Sequence, residues 1–210
     1  KKVIKSKINL VDVGCGAGHL LKALENKRIN AYGLEPSRSL SILGNKKLKK
    51  NKIENVSLKK IFDQINQDNK SNILSLIGVL EHMRDPNSLL KVFLKSNIKY
   101  LFLSLPLFSM SSFVEHNFSN VFPRVLSGGH THLYTKDSIQ YLAKKNKLQI
   151  IGEWWFGSDM LDLYRSLMVS AKSIYYKKLL KKNLSFMIDN LKKTIDKNHL
   201  CNEVHLILKK

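Results

Sequence analysis

Short apolar runs alternate along the chain with stretches of helical period. Ile8–Val13 (INLVDV) is β-branched, apolar and closed by glycine, as a buried parallel strand is. Behind it HLLKALENKR carries Leu20, Leu21 and Leu24 at helical spacing, and NAYGLE then reads as a second strand that Pro36 turns. A lysine-rich helix is expected next, followed by a weak strand over Val56–Ile61. SNILSLIGVL is the third strong strand. EHMRDPNSLLKVFLKS opens a helix whose Leu89, Leu90, Phe93 and Leu94 share one apolar face.

KYLFLSLP is a further strand, stopped by Pro106, and Leu107–His132 shows no clean period. Thr135 is placed to N-cap KDSIQYLAKKN, and LQIIGEWWF is again a strand. A helical insertion follows over about Asp159–Asp196 (159–198 with its flank). EVHLILKK closes the chain with Val204, Leu206 and Leu208 on one face. Strands alternating with helices predict an α/β, Rossmann-like doubly wound sheet in a single domain spanning 1–210.

Composition changes this picture little. A chain of 210 residues, 43% hydrophobic, is large enough to fold around a core without disulfides. No apolar run approaches the ~20 residues of a membrane span, and KKVIKSKINLV has too short an apolar segment for a secretory signal. Cys15 and Cys201 fit no metal-binding pattern and read as reduced thiols, so a cytoplasmic location is expected. The net charge of +20 is nearly all lysine, spread in pieces such as KKLKKNK and KKLLKKN, with arginine scarce. Solvated lysine faces, helped by an AT-rich codon bias, and a polyanion-binding surface are both compatible with it.

The chemistry concentrates in VDVGCGAGHLL. Gly14, Gly16 and Gly18 fall between the first strand and a helix, where nucleotide-type ligands dock in such sheets. Without Cβ atoms the backbone can approach a ligand closely, and the helix N-terminus offers free N–H groups. The spacing is G-x-G-x-G, with His19 where a dinucleotide fingerprint needs its third glycine, and no Gly-Lys-Ser/Thr follows. A ligand without pyrophosphate is favoured. Glu35, at the end of the second strand, is placed to accept hydrogen bonds from both hydroxyls of a ribose.

With VDVGCGAGHLL, GLEPS and SLIGVLEHMRDP in this order, the chain resembles the class I S-adenosylmethionine-dependent methyltransferases over essentially its whole length. The resemblance implies a seven-stranded, mostly parallel sheet with an antiparallel last strand, and S-adenosyl-L-methionine as cofactor. It implies that Gly14, Cys15, Gly16 and Gly18 wrap the cofactor, with Asp12 beneath the loop near its methionine end. Glu35 would hold the ribose, Pro36 and Ser37 border the adenine, Asp63 meet the adenine amino group, and Gly78 and Val79 line the methionine part. The family's helix before the first strand has no counterpart ahead of Ile8, so an N-terminal segment beyond Lys1 is expected.

Absences narrow the acceptor. LIGVLEH is not an Asn/Asp-Pro-Pro-aromatic motif, no Pro-Cys follows that strand, and there is no radical-type cysteine cluster. Oxygen, carbon or nitrogen methylation of a small molecule or glycan precursor is expected; RNA methylation or basic nucleic-acid binding on the same fold is the alternative. The stretch GGHTHLYTKDSIQYLAKKNKLQIIGEWWFG resembles a bacterial subgroup associated with sugar, polysaccharide and secondary-metabolite pathways.

Candidate acid/base residues are Glu115, His116, His130, His132 and Tyr134 after the fifth strand, and His82 after the fourth. Glu81 reads as a helix N-terminal carboxylate, while Arg165, Trp154 and Trp155 either contact the acceptor or pack. His130 and His132 form a His-x-His pair, which some metal sites use. No third ligand stands close by except Asp137, which better serves a helix start, and no metal is expected.

Overall fold

The computed structural model describes residues 4, 6–50, 52–126 and 129–210; Gly128, half of the Gly-Gly pair ahead of His130, lies outside them. The chain runs β1 (Asn9–Val13), α1 (His19–Asn26), β2 (Asn30–Glu35), α2 (Arg38–Asn45), β3 (Lys52–Asn55), α3 (Leu58–Gln67) and β4 (Ile73–Ile77). A one-turn 3-10 helix over Leu80–His82 leads to α4 (Pro86–Lys95), β5 (Tyr100–Pro106), α5 (Met110–Asn117), α6 (Lys136–Lys145) and β6 (Gln149–Phe156). Then follow α7 (Asp159–Ser170), α8 (Ile174–Leu184), α9 (Ile188–Lys197) and β7 (Glu203–Lys209).

The seven strands form one sheet in the order β3-β2-β1-β4-β5-β7-β6. Every pairing among β1 to β5 is parallel, and β7 runs antiparallel between β5 and β6. This is the expected Rossmann-like, doubly wound architecture. Val11, Leu34, Leu74, Leu76, Leu101 and Leu103 have no exposed surface. Each such side chain contributes about 1.5–3 kcal/mol by leaving water, so a one-residue slip of any central strand is heavily penalised. The register sets the carboxyl ends of β1, β2 and β4 side by side, and the glycine loop, Glu35 and Gly78 sit there. No helix among the described residues is long and apolar enough to cross a membrane.

Four local readings are corrected. The third strand is Lys52–Asn55, paired with Tyr32–Glu35, and not Val56–Ile61. From Leu58 the chain is helical behind Ser57, because Ile61 and Ile65, one turn apart, both bury. The lysine run follows α2 instead of forming it, and α4 begins at Pro86, capped by the Asp85 side chain. The aperiodic stretch after Pro106 contains α5, started by a Ser109–Ser112 capping box.

The start of α7, the first of three helices between β6 and β7, is fastened to α5 and to Asn202 ahead of β7 by a buried polar network. Asp162 accepts from the hydroxyls of Ser111 (3.0 Å) and Ser158 (3.1 Å) and pairs with Arg124 (3.2 Å). The Asn202 amide donates to the Ser111 and Ser158 hydroxyls at 3.1 and 3.2 Å. Asp159 accepts from the Ser111 main-chain N–H (2.9 Å), tying the start of α7 to that of α5. Removing one buried partner leaves the others uncompensated. Asp162→Ala is therefore expected to lower stability by about 3 kcal/mol in urea unfolding, against no measurable change for the exposed His116→Ala; equal midpoints would contradict the network's role.

Candidate active site

The loop after β1 is shaped by glycine where nothing else fits. Gly14 and Gly16 have φ of +66° and +55°, in the left-handed region. A Cβ on Gly14 would stand 2.9 Å from a Val79 methyl, so the ends of β1 and β4 touch only because that atom is missing. At Gly16 a Cβ would meet nothing within 4 Å, so this part of the loop faces open space. Main-chain contact pins the loop, with Gly14 N–H donating to the Leu34 carbonyl at 2.8 Å.

Glu35 closes the loop from β2. Its carboxylate is buried and accepts from the Gly16 N–H at 2.7 Å and the Ser37 N–H at 2.8 Å. Each oxygen retains lone-pair capacity for a ligand hydroxyl. The Asn55 side chain donates to the carbonyls of Glu35 and Pro36, and Ser37 caps α2, which fixes the turn beside the carboxylate. Asp63 stands apart, exposed in the second turn of α3 and beyond the end of β3.

Beneath the loop Asp12 is buried, and its Oδ1 has no hydrogen-bond partner among the described residues. Burial pushes its pKa up to about 7; the Ser75 hydroxyl acts against the shift and the Glu35 charge adds to it. The Cys15 thiol is pushed up to about 12, by burial first and then by the charges of Asp12 and Glu35, and is no nucleophile at neutral pH.

The residues after β5 converge on the turn after β4. The Glu81 carbonyl accepts from the Thr131 N–H (2.7 Å), the Thr131 hydroxyl (2.9 Å) and the His132 N–H (3.3 Å). His82 and His130 consequently meet edge to face, with ring centroids 4.8 Å apart. His132 turns aside, its Nδ1 2.8 Å from the Thr131 hydroxyl. Glu115 is buried and accepts from the main-chain N–H groups of Arg124, Val125 and Leu126, and the Val125 carbonyl in turn receives His130 Nδ1 at 2.9 Å. Glu115 thus positions His130 through the backbone. His116 is exposed in the last turn of α5.

Tyr134 is buried against β5, its hydroxyl unpartnered among the described residues and its pKa pushed up to about 12, by burial and then by the Glu81 charge. Trp155 stacks on His199 at 4.4 Å, whereas Trp154 is exposed and stacked on Phe156. Arg165 donates to the Phe122 carbonyl and lies 3.9 Å from Asp162. Sequence reasoning gave Glu81 only a helix-terminal role and missed the latch by Glu115; neither involves partners close in sequence. A concavity of about 550 Å³, lined by Tyr32, Lys50, Lys52 and Asp68, lies at the opposite, amino end of β2 and β3, away from these residues.

The buried acid makes a signed prediction. Asp12 holds its proton in the folded protein up to about pH 7 but in the unfolded chain only to about pH 4, so its contribution to stability falls as pH rises across that window. Asp12→Asn removes the titration. Without added ligand, its melting temperature minus that of the parent chain should grow from about pH 4 to 7 and then level; a difference independent of pH would contradict the assignment.

The geometry suits an adenosyl ligand: a glycine-rich loop open at Gly16, a buried carboxylate at the end of β2 with spare acceptor capacity, and an orphaned acid beneath. The profile of a family described as "Methyltransferase domain" matches residues 1–153. No curated protein sequence matches significantly. Among solved structures, a SAM-dependent methyltransferase from Archaeoglobus fulgidus is 15% identical with a TM-score of 0.60, over 98% of this chain and 87% of that one. The magnesium protoporphyrin IX methyltransferase of Synechocystis PCC 6803, with bound SAH, is 13% identical with a TM-score of 0.61, over 97% and 74%. The plantazolicin methyltransferase BpumL, also in complex with SAH, is 16% identical with a TM-score of 0.59, over 98% and 77%. The chain belongs to the methyltransferase-domain family and has the fold of the class I S-adenosylmethionine-dependent methyltransferases.

Proposed function

We propose that this methyltransferase acts in the cytoplasm on a small molecule or a sugar or glycan precursor, with the acceptor's nucleophile activated at the facing His82 and His130. The observation carrying this reading is that the β5–α6 segment brings His130 onto His82 beside Gly78 and Val79, next to the glycine loop. The cofactor supplies an electrophilic methyl group on a sulfonium. Glu35 would take its ribose hydroxyls, with Pro36 and Ser37 along the adenine, and Gly14, Gly16, Gly18, Gly78 and Val79 would border the rest. Asp12, close to neutrality in its titration, would offer a carboxylate to the cationic methionine end.

The acceptor side has to align a nucleophile and remove its proton. His82 and His130 are the groups both accessible and mutually oriented for that task. Tyr134 is buried with a raised pKa and serves as a wall, Glu115 as a positioning residue, and His132 as a neighbour held by Thr131. Asp63 and His116 take no part. The neighbours' names include a porphyrin and a plantazolicin methyltransferase, which supports a small-molecule acceptor for this chain too. The charge of +20 favours a second reading, RNA methylation or nucleic-acid binding on this fold.

Incubation of the chain with cofactor carrying a deuterated methyl group and fractionated cell extract separates the two readings. Mass-shifted low-molecular-weight product is expected, and label confined to RNA would overturn the proposal. In the same assay His130→Ala should reduce turnover about 100-fold, His132→Ala much less, and both should keep the parent affinity for S-adenosylhomocysteine. Equal loss in the two would contradict the pairing of His130 with His82.

A further inference from the structure

Among the described residues His132 joins no cluster of ligand-capable side chains, whereas His130 does. Glu81, His82 and His130 each present a ligand-capable atom, and these atoms all lie within 4.8 Å of one another. The imidazoles are oriented as metal-binding rings are. His130 Nδ1 is 2.9 Å from the Val125 carbonyl and His82 Nδ1 is 3.3 Å from the Gly129 carbonyl. A carbonyl only accepts, so each Nδ1 carries the hydrogen and each Nε2 is left with its lone pair.

Glu81 supplies the independent observation. It is 4% exposed, and its Oε2 has no hydrogen-bond partner among the described residues. A buried carboxylate oxygen without a partner is costly. Neither histidine stands within the 4.0 Å of an ion pair with it among the described residues. Ligands at ~2.1 Å from one tetrahedral ion stand about 3.4 Å apart, so the three atoms, too far apart for direct contact, close onto an ion by a modest rotation of their side chains. Two imidazoles and one carboxylate, with His82 exposed and coordination positions left open, match a divalent first-row transition ion better than magnesium or calcium.

We propose that Glu81, His82 and His130 bind a divalent first-row transition-metal ion whose open positions take a hydroxyl or carboxylate oxygen of the methyl acceptor. The ion site stands on the geometry; the acceptor's part in it rests on the methyl-transfer reading above. For a hydroxyl acceptor, the ion eases loss of the proton to water. The freed oxygen lone pair forms the O–C bond, and the C–S bond pair returns to sulfur. The facing histidines then activate the nucleophile through the ion they hold.

The test uses the full chain, stripped with a chelator and dialysed against Co²⁺, with bound metal and visible absorption as readouts. One ion per chain is expected. Glu81→Gln and His130→Ala should bind at least about tenfold more weakly, and His132→Ala should bind as the parent does. Calorimetry with S-adenosylhomocysteine on every variant reports the fold and the cofactor site separately. Absence of Co²⁺ binding by the parent, or equal binding by the triad variants with intact cofactor affinity, would overturn the ion site. Labelled-methyl turnover unchanged by chelation would overturn its role toward the acceptor. Loss of S-adenosylhomocysteine binding in the parent would strike the methyl-transfer reading and leave the ion site standing.

Discussion

One main-chain carbonyl joins the two halves of this site. The Glu81 oxygen accepts from the Thr131 and His132 N–H groups and from the Thr131 hydroxyl. Residues 129–132 belong to no helix or strand, so at about 1 kcal/mol apiece these bonds are a large share of what holds them. Glu115 holds the preceding turn by three main-chain N–H groups, and the Val125 carbonyl sets the His130 ring. The 129–132 segment is thus built on the turn after β4, within reach of the glycine loop that Val79 touches.

The charge distribution has the same logic. A chain with a net charge of +20 keeps Asp12, Glu35 and Glu81 buried where β1, β2 and β4 end. Burial and mutual repulsion make such carboxylates expensive, and Asp12 yields by holding its proton to about pH 7. A cationic ligand relieves that cost. The sulfonium and ammonium of S-adenosylmethionine are such a ligand, and so is a metal ion at Glu81. Lysine on the outside and carboxylate at the strand ends are therefore separate matters: the total charge bears on a nucleic-acid partner and not on the pocket at the strand ends.

What was legible in the sequence is what short-range spacing determines. The glycine loop and Glu35 lie on consecutive strand ends, so the order of residues alone set them side by side, and the alternating pattern specified the sheet. Thr135 capped its helix as its chemistry required. The pattern misled where residues are ambiguous: KIEN is a poor strand by composition but completes the sheet edge, and α5 buries Ser111, Ser112, Val114 and Glu115 instead of an apolar stripe. Asp63 was tied to the adenine through a loosely matched segment and lies on an exposed helix face. Glu81, His82 and His130 were illegible as a group, because the contact between them exists only once the β5–α6 segment folds back across the sheet. Near spacing pointed to His132 as partner, and the fold chose His82.

Everything proposed for the acceptor presumes a cofactor held by the glycine loop and Glu35. Calorimetric titration of S-adenosylhomocysteine into the parent chain and into Glu35→Ala measures that directly. The account predicts one equivalent bound by the parent and an affinity at least about tenfold lower in the variant, the loss of two charge-assisted hydrogen bonds. Saturable binding of equal strength in both proteins, or none in the parent, would contradict it.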